Sequence, residues 1–81
     1  MPHEDWTTDR DTIRIELSDE QRQELRRLAR EAIGRISERA HFVLLSDQGK
    51  SAPEIGALLG YSGQAVYPWL ERYLKHGVAG L

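Results

Sequence analysis

Apolar positions at helical spacing dominate this chain. Leu25, Leu28, Ala29, Ala32, Ile33 and Ile36 recur every three or four residues, the stripe of a helix with one buried face. Ser18-Asp19-Glu20-Gln21 precedes them in the order of a capping box, with acids favouring the positive helix end. Gly34 weakens the run and marks a break, and Ser37 is placed to cap a second helix over 37–48. There Ala40, Val43 and Leu44 share a face that Phe42 and Leu45 widen, and Gln48-Gly49 closes it. Ser51-Ala52-Pro53-Glu54 is a second capping box, with proline in the first turn where its missing N–H costs nothing. Ile55, Leu58 and Leu59 then point inward, and Gly60 falls where a residue of positive φ belongs. A last stripe, Val66, Trp69, Leu70, Tyr73 and Leu74, ends at Gly77. The pattern predicts an all-α protein, a small helical bundle of about four helices.

One segment breaks the helical period. Thr12-Ile13-Arg14-Ile15-Glu16-Leu17 alternates polar and apolar, the pattern of a half-buried strand. A lone strand has no partner in the monomer, so this strand-like arm either lies extended across the helices or pairs with its copy in a homodimer. Residues 1–11 show no periodicity and read as a flexible acidic tail, leaving residues 12–81 as a single domain.

The net charge of −2 hides a split. Residues 1–20 hold seven acids against Arg10 and Arg14, or −5, whereas residues 21–81 hold nine bases against six acids, or +3. The helical body is therefore mildly basic. Cysteine is absent, so neither disulfides nor thiolate metal sites support the core. The longest purely apolar run, Phe42-Val43-Leu44-Leu45, is far too short to span a bilayer. The acidic start lacks the basic-then-apolar order of a secretory signal. The expectation is a cytoplasmic protein without membrane contact.

Residues 51–76 scan as a helix-turn-helix. That unit needs a small residue where its helices cross, a turn residue of positive φ and apolar anchors in both helices. Gly56, Gly60 and the set Ile55, Leu59, Tyr61, Val66 and Trp69 fall at those offsets. Projected outward, the second helix presents Ser62, Gly63, Gln64, Tyr67, Pro68 and Glu71. Gln64 suits adenine, and Tyr67 a phosphate or a thymine methyl. Glu71 repels phosphate unless paired. Pro68, beyond the first turn, predicts an irregular helix start. Lys50, Ser51 and the amides opening the preceding helix form an anion site. Arg39 and Arg72, with Arg35 and Lys75, are flanking contacts, although Arg35 also stands four residues after Glu31 and can serve a helix ion pair.

The run from Arg39 to Leu81 resembles the amino-terminal DNA-binding region of bacterial mariner-like insertion-sequence transposases. The likeness lies in Gly49-Lys50-Ser51, Glu54-Ile55-Gly56, Leu59-Gly60-Tyr61-Ser62, Val66-Tyr67-Pro68-Trp69 and the closing Gly77-Val78-Ala79-Gly80-Leu81. Ile15-Glu16-Leu17-Ser18 with Glu20-Gln21-Arg22 resembles the family's lead-in. The resemblance implies a trihelical, homeodomain-like fold that grips the inverted repeats of a mobile element. In that family the catalytic carboxylates belong to a later domain, so no enzyme chemistry is expected in these 81 residues.

The residues agree with that expectation. His3, His41 and His76 lack metal-ligand spacing, and no nucleophile–base pair or phosphate-binding glycine loop stands out. No cofactor and no small-molecule substrate is implied; the expected partner is double-stranded DNA. Two alternatives stay open. One is a protein-interaction or dimerisation module that keeps the helix-turn-helix frame without DNA readout. The other is a ribbon-helix-helix protein reading DNA with Thr12, Arg14 and Glu16, which leaves residues 50–81 unexplained.

Overall fold

The computed structural model describes residues 15–81. The acidic tail at 1–11 and the first half of the arm, Thr12 to Arg14, lie outside the described residues. Four helices follow in order: α1 (Asp19–Glu31), α2 (Arg35–Asp47), α3 (Ala52–Leu59) and α4 (Gly63–His76). A 3-10 turn over Gly77–Gly80 closes the described chain. The all-α expectation holds, and no strand forms among the described residues.

Local chemistry sets most helix limits. The Ser18 hydroxyl accepts the Gln21 amide while the Gln21 side chain accepts the Ser18 amide, so the first capping box forms in full. Ser51 and Glu54 repeat it at α3. Such a cap is worth about 1 kcal/mol. Between α1 and α2 the structure departs from the expected cap. The cap of α2 is Gly34, and Ser37 instead donates its hydroxyl to the Ala29 carbonyl at 2.6 Å, tying α2 back to the end of α1. Ile33 falls in this break and is 92% exposed, so it leaves the stripe that periodicity assigned to it. Pro68 does not make the start of its helix irregular. Helix α4 runs unbroken from Gly63 to His76 with the proline inside it and exposed, because the remaining backbone ladder and the buried face carry the geometry.

The core is built from all four helices. Leu25, Val43, Ile55, Val66 and Leu70 are fully buried, each contributing on the order of 1.5–3 kcal/mol. Helix α1 packs on α2, and α4 packs on both α2 and α3. Leu58 and Leu74, expected inside, are instead mostly exposed.

The described half of the arm, Ile15 to Leu17, takes the intrachain course. Its apolar side chains are buried, and its amides are bound by the end of α2: Ile15 donates to Ser46 Oγ at 3.1 Å and Leu17 to Asp47 Oδ1 at 2.9 Å. Arg22 of α1 reaches the other oxygen of Asp47 at 2.8 Å and the Leu17 carbonyl at 3.1 Å. One carboxylate thus joins arm, α1 and α2. The hydrogen bond from Arg22 and the Leu17 amide hold the Asp47 carboxyl below the usual carboxylate range.

A depressed native pKa means stability present above the unfolded carboxylate pKa and lost as pH falls through the lower native value. Asp47→Asn therefore lowers the melting temperature at neutral pH. The gap to wild type closes in acid below the native titration, which thermal unfolding across pH checks.

Candidate nucleic-acid interface

The two helices of the candidate reader meet at one backbone contact. Gly56, buried in the middle of α3, faces the turn so closely that a Cβ there would collide with the Tyr61 carbonyl oxygen and stand 3.0 Å from the Ser62 carbonyl carbon. Gly60 makes the turn with φ +86°, in the left-handed region that favours glycine. The amides of Gly60 and Tyr61 both return to the Gly56 carbonyl at 2.8 Å. Ser62 then caps α4, accepting the Ala65 amide. The second helix consequently leaves the turn in a fixed direction.

Its buried face is Val66, Tyr67, Leu70 and Tyr73, with Trp69 half-buried. Tyr67, expected to reach DNA from the outer face, is only 6% exposed and belongs to the core. The reason lies one turn earlier: Gly63 packs against Pro53 of α3, and Tyr67 lies on that same side of α4. Gly63 is drawn inward likewise. What remains outward is Gln64, Pro68, Glu71 and Lys75, a stripe at i, i+4, i+7 and i+11 that is exposed throughout. Ser62 is exposed at its start.

The expected anion site at the opening of α3 is largely taken by the protein itself. The Ser51 amide donates to Glu54 Oε1 at 2.8 Å, the Glu54 amide to Ser51 Oγ at 3.3 Å, and the Ile55 amide to the Ser51 carbonyl. Pro53 has no N–H, so Ala52 supplies the first-turn amide left over. The Ser51 bonds, with Lys50 nearby, hold the Glu54 carboxyl below its usual range, so it stays ionised. A phosphate approaching Ser51 meets that charge. Lys50, half-buried beside it, is the cation of this corner.

Arg39 and Arg72 also have internal partners. The Arg39 guanidinium lies 3.7 Å over the Trp69 ring and donates to the Leu81 carbonyl at 2.9 Å. Arg72 stands 5.2 Å from the same ring and donates through Nε to the Gly80 carbonyl at 2.9 Å. This arrangement fastens the closing turn to α2 and α4, a role that sequence spacing gave no sign of. The predicted residues therefore separate into three places: Ser62 and Gln64 at the outward stripe, Lys50 and Ser51 at the start of α3, and Arg39 and Arg72 around Trp69. Tyr67 joins none of them.

A short helix, a glycine-bearing turn and a second helix with an exposed polar stripe define a helix-turn-helix domain of the DNA-binding class. The model of the homeodomain-like domain family matches residues 34–81, and the chain belongs to that family. No curated protein and no solved structure matches it. Helix α1 and the arm lie outside the matched region. No described helix is long and apolar enough to cross a membrane.

Gly56→Ala tests the crossing. The added methyl meets backbone rather than a yielding side chain, so the expected loss is roughly 1–3 kcal/mol, read by denaturant unfolding.

Proposed function

We propose that this chain is a transposase-derived module that binds duplex DNA, mainly through phosphates and with modest sequence preference. The observation that carries the reading is the outward stripe of α4. Gln64, Pro68, Glu71 and Lys75 are exposed together on a helix whose opposite face is locked into the core, the disposition a major-groove helix needs. The likeness of residues 39–81 to mariner-like insertion-sequence transposases supports the origin.

Each side chain on the stripe suggests a role. Gln64 can pair with adenine N6 and N7, Glu71 can accept from cytosine N4, and Pro68 can lie against a thymine methyl. With one short polar reader and an acid, base contacts discriminate weakly and phosphate contacts supply most of the affinity. Lys50 serves the strand facing α3, as a point charge and not as part of an amide nest, because Glu54 occupies the nest.

A second reading, a dimerisation module built on residues 12–17, has less support. Ile15 and Leu17 are buried within their own chain, and their amides are bound to α2.

The test is site selection with randomised duplexes, followed by titrations of two variants. Gln64→Ala should relax preference at one position, by about 1–3 kcal/mol against the best site. Lys50→Ala should weaken binding to every sequence alike. Wild-type protein that binds no duplex at low salt would overturn the reading.

A further inference from the structure

A groove of about 340 Å³ lies between α2 and the first half of α4. The outward stripe of α4 makes no use of it. Its floor is aromatic: Phe42 meets Tyr61 edge-on with ring centroids 5.6 Å apart, and Trp69 continues the surface. Its wall carries Arg35 and Arg39, one helical turn apart on α2. Arg72 does not line the groove but stands next to it, 5.2 Å from the Trp69 ring. The single acid lining it is Glu38, and the Tyr61 hydroxyl donates to that carboxylate at 2.6 Å. Two guanidinium groups thus line the groove and a third stands beside Trp69, against one carboxylate that already has a partner.

Two of the three cations are held in place before any ligand arrives. Arg39 spends one Nη1 bond on the Leu81 carbonyl, and Arg72 spends its Nε bond on the Gly80 carbonyl. The Trp69 ring restrains both planes. A guanidinium carries five N–H donors, so each retains most of its donors for a further acceptor. Such fixed donors lose less entropy when they bind than a free side chain would.

The position of the groove gives its occupant. Ala65 and Trp69 line it, and they sit on the flank of α4 next to the stripe of Gln64, Pro68 and Glu71. The opposite flank is where Gly63 packs against Pro53 of α3, the helix that Lys50 precedes by two residues. A helix seated in a major groove about 12 Å wide is bordered by two sugar–phosphate backbones, one on each side. We propose that the groove between α2 and α4 is a phosphate track. It takes the backbone of one DNA strand through Arg35, Arg39 and Arg72, while Lys50 faces the other strand. The turn Gly77–Gly80 and Leu81 position Arg39 and Arg72 through their carbonyls. This assignment rests on the duplex-binding reading above and adds to it a second, sequence-independent grip.

The experiment is equilibrium binding to a mixed-sequence duplex, followed by fluorescence anisotropy across a salt series. Arg35→Ala, Arg72→Ala and the double variant are compared with wild type, and thermal unfolding is measured in parallel. Each lost phosphate contact should lower the slope of log K against log salt by about 0.9, equally for all sequences, and the double variant should lose about twice that. Arg35→Lys should keep the wild-type slope. Arg35 is exposed, so its alanine variant stays folded and decides the matter even if Arg72→Ala loosens the closing turn. Wild-type binding with an unchanged slope in Arg35→Ala would overturn the track and leave the outward stripe standing. Failure of the wild type to bind any duplex would overturn both.

Discussion

The direction of α4 depends on the approach of Gly56 to the carbonyls of Tyr61 and Ser62. Any side chain there would push the turn away from α3, and the second helix would leave at another angle. With glycine, the carbonyl of residue 56 accepts the amides of both Gly60 and Tyr61, so the turn is bonded to the helix it leaves. The Ser62 cap then starts α4 in register. The exposed stripe and the aromatic groove both inherit their placement from this contact. Moving α4 would separate Trp69 from Arg39 and uncover Val66 and Leu70.

Three acids of the described residues are engaged by the protein itself. Glu54 closes the start of α3, Asp47 gathers Arg22 and the arm, and Glu38 is bound by Tyr61. The cations differ in how far they are committed. Arg22 bonds to two carboxylates, Asp47 and Asp19, whereas Arg72 rests on an aromatic ring and the Gly80 carbonyl, which fix a cation without neutralising it. Arg39 rests on the same ring and the main-chain oxygen of Leu81. A body of modest positive charge can therefore still present a concentrated basic edge. This distinction between a neutralised and a merely oriented arginine underlies the reading of the groove.

What the sequence made legible was the chemistry that acts over a few residues. Both capping boxes, the positive φ at Gly60, the small residue at Gly56 and the end of α4 at Gly77 follow from neighbours in the chain, and each stands where spacing placed it. The misplaced residues depend on distant partners. Tyr67 is buried because α3 covers the side of α4 that begins at Gly63, and a single-helix stripe cannot register a second neighbour. Leu74 is exposed although the same periodicity counted it inward. Ser37 bonds back to Ala29 across a break whose geometry no local pattern fixes. Arg39 meets an acceptor 42 residues away. At the candidate site, Ser62 and Gln64 were legible from the turn, whereas the aromatic groove became visible only once α2 and α4 lay side by side.

The most direct test of the central claim is a two-dimensional amide NMR titration of the labelled protein with a mixed-sequence duplex at low salt. The account predicts shifts concentrated at Lys50, Ser62, Gln64, Ala65, Glu71, Arg72 and Lys75, receding as salt is added, with Leu25 and Val43 unmoved. Shifts confined to α1, or a spectrum indifferent to DNA, would contradict it.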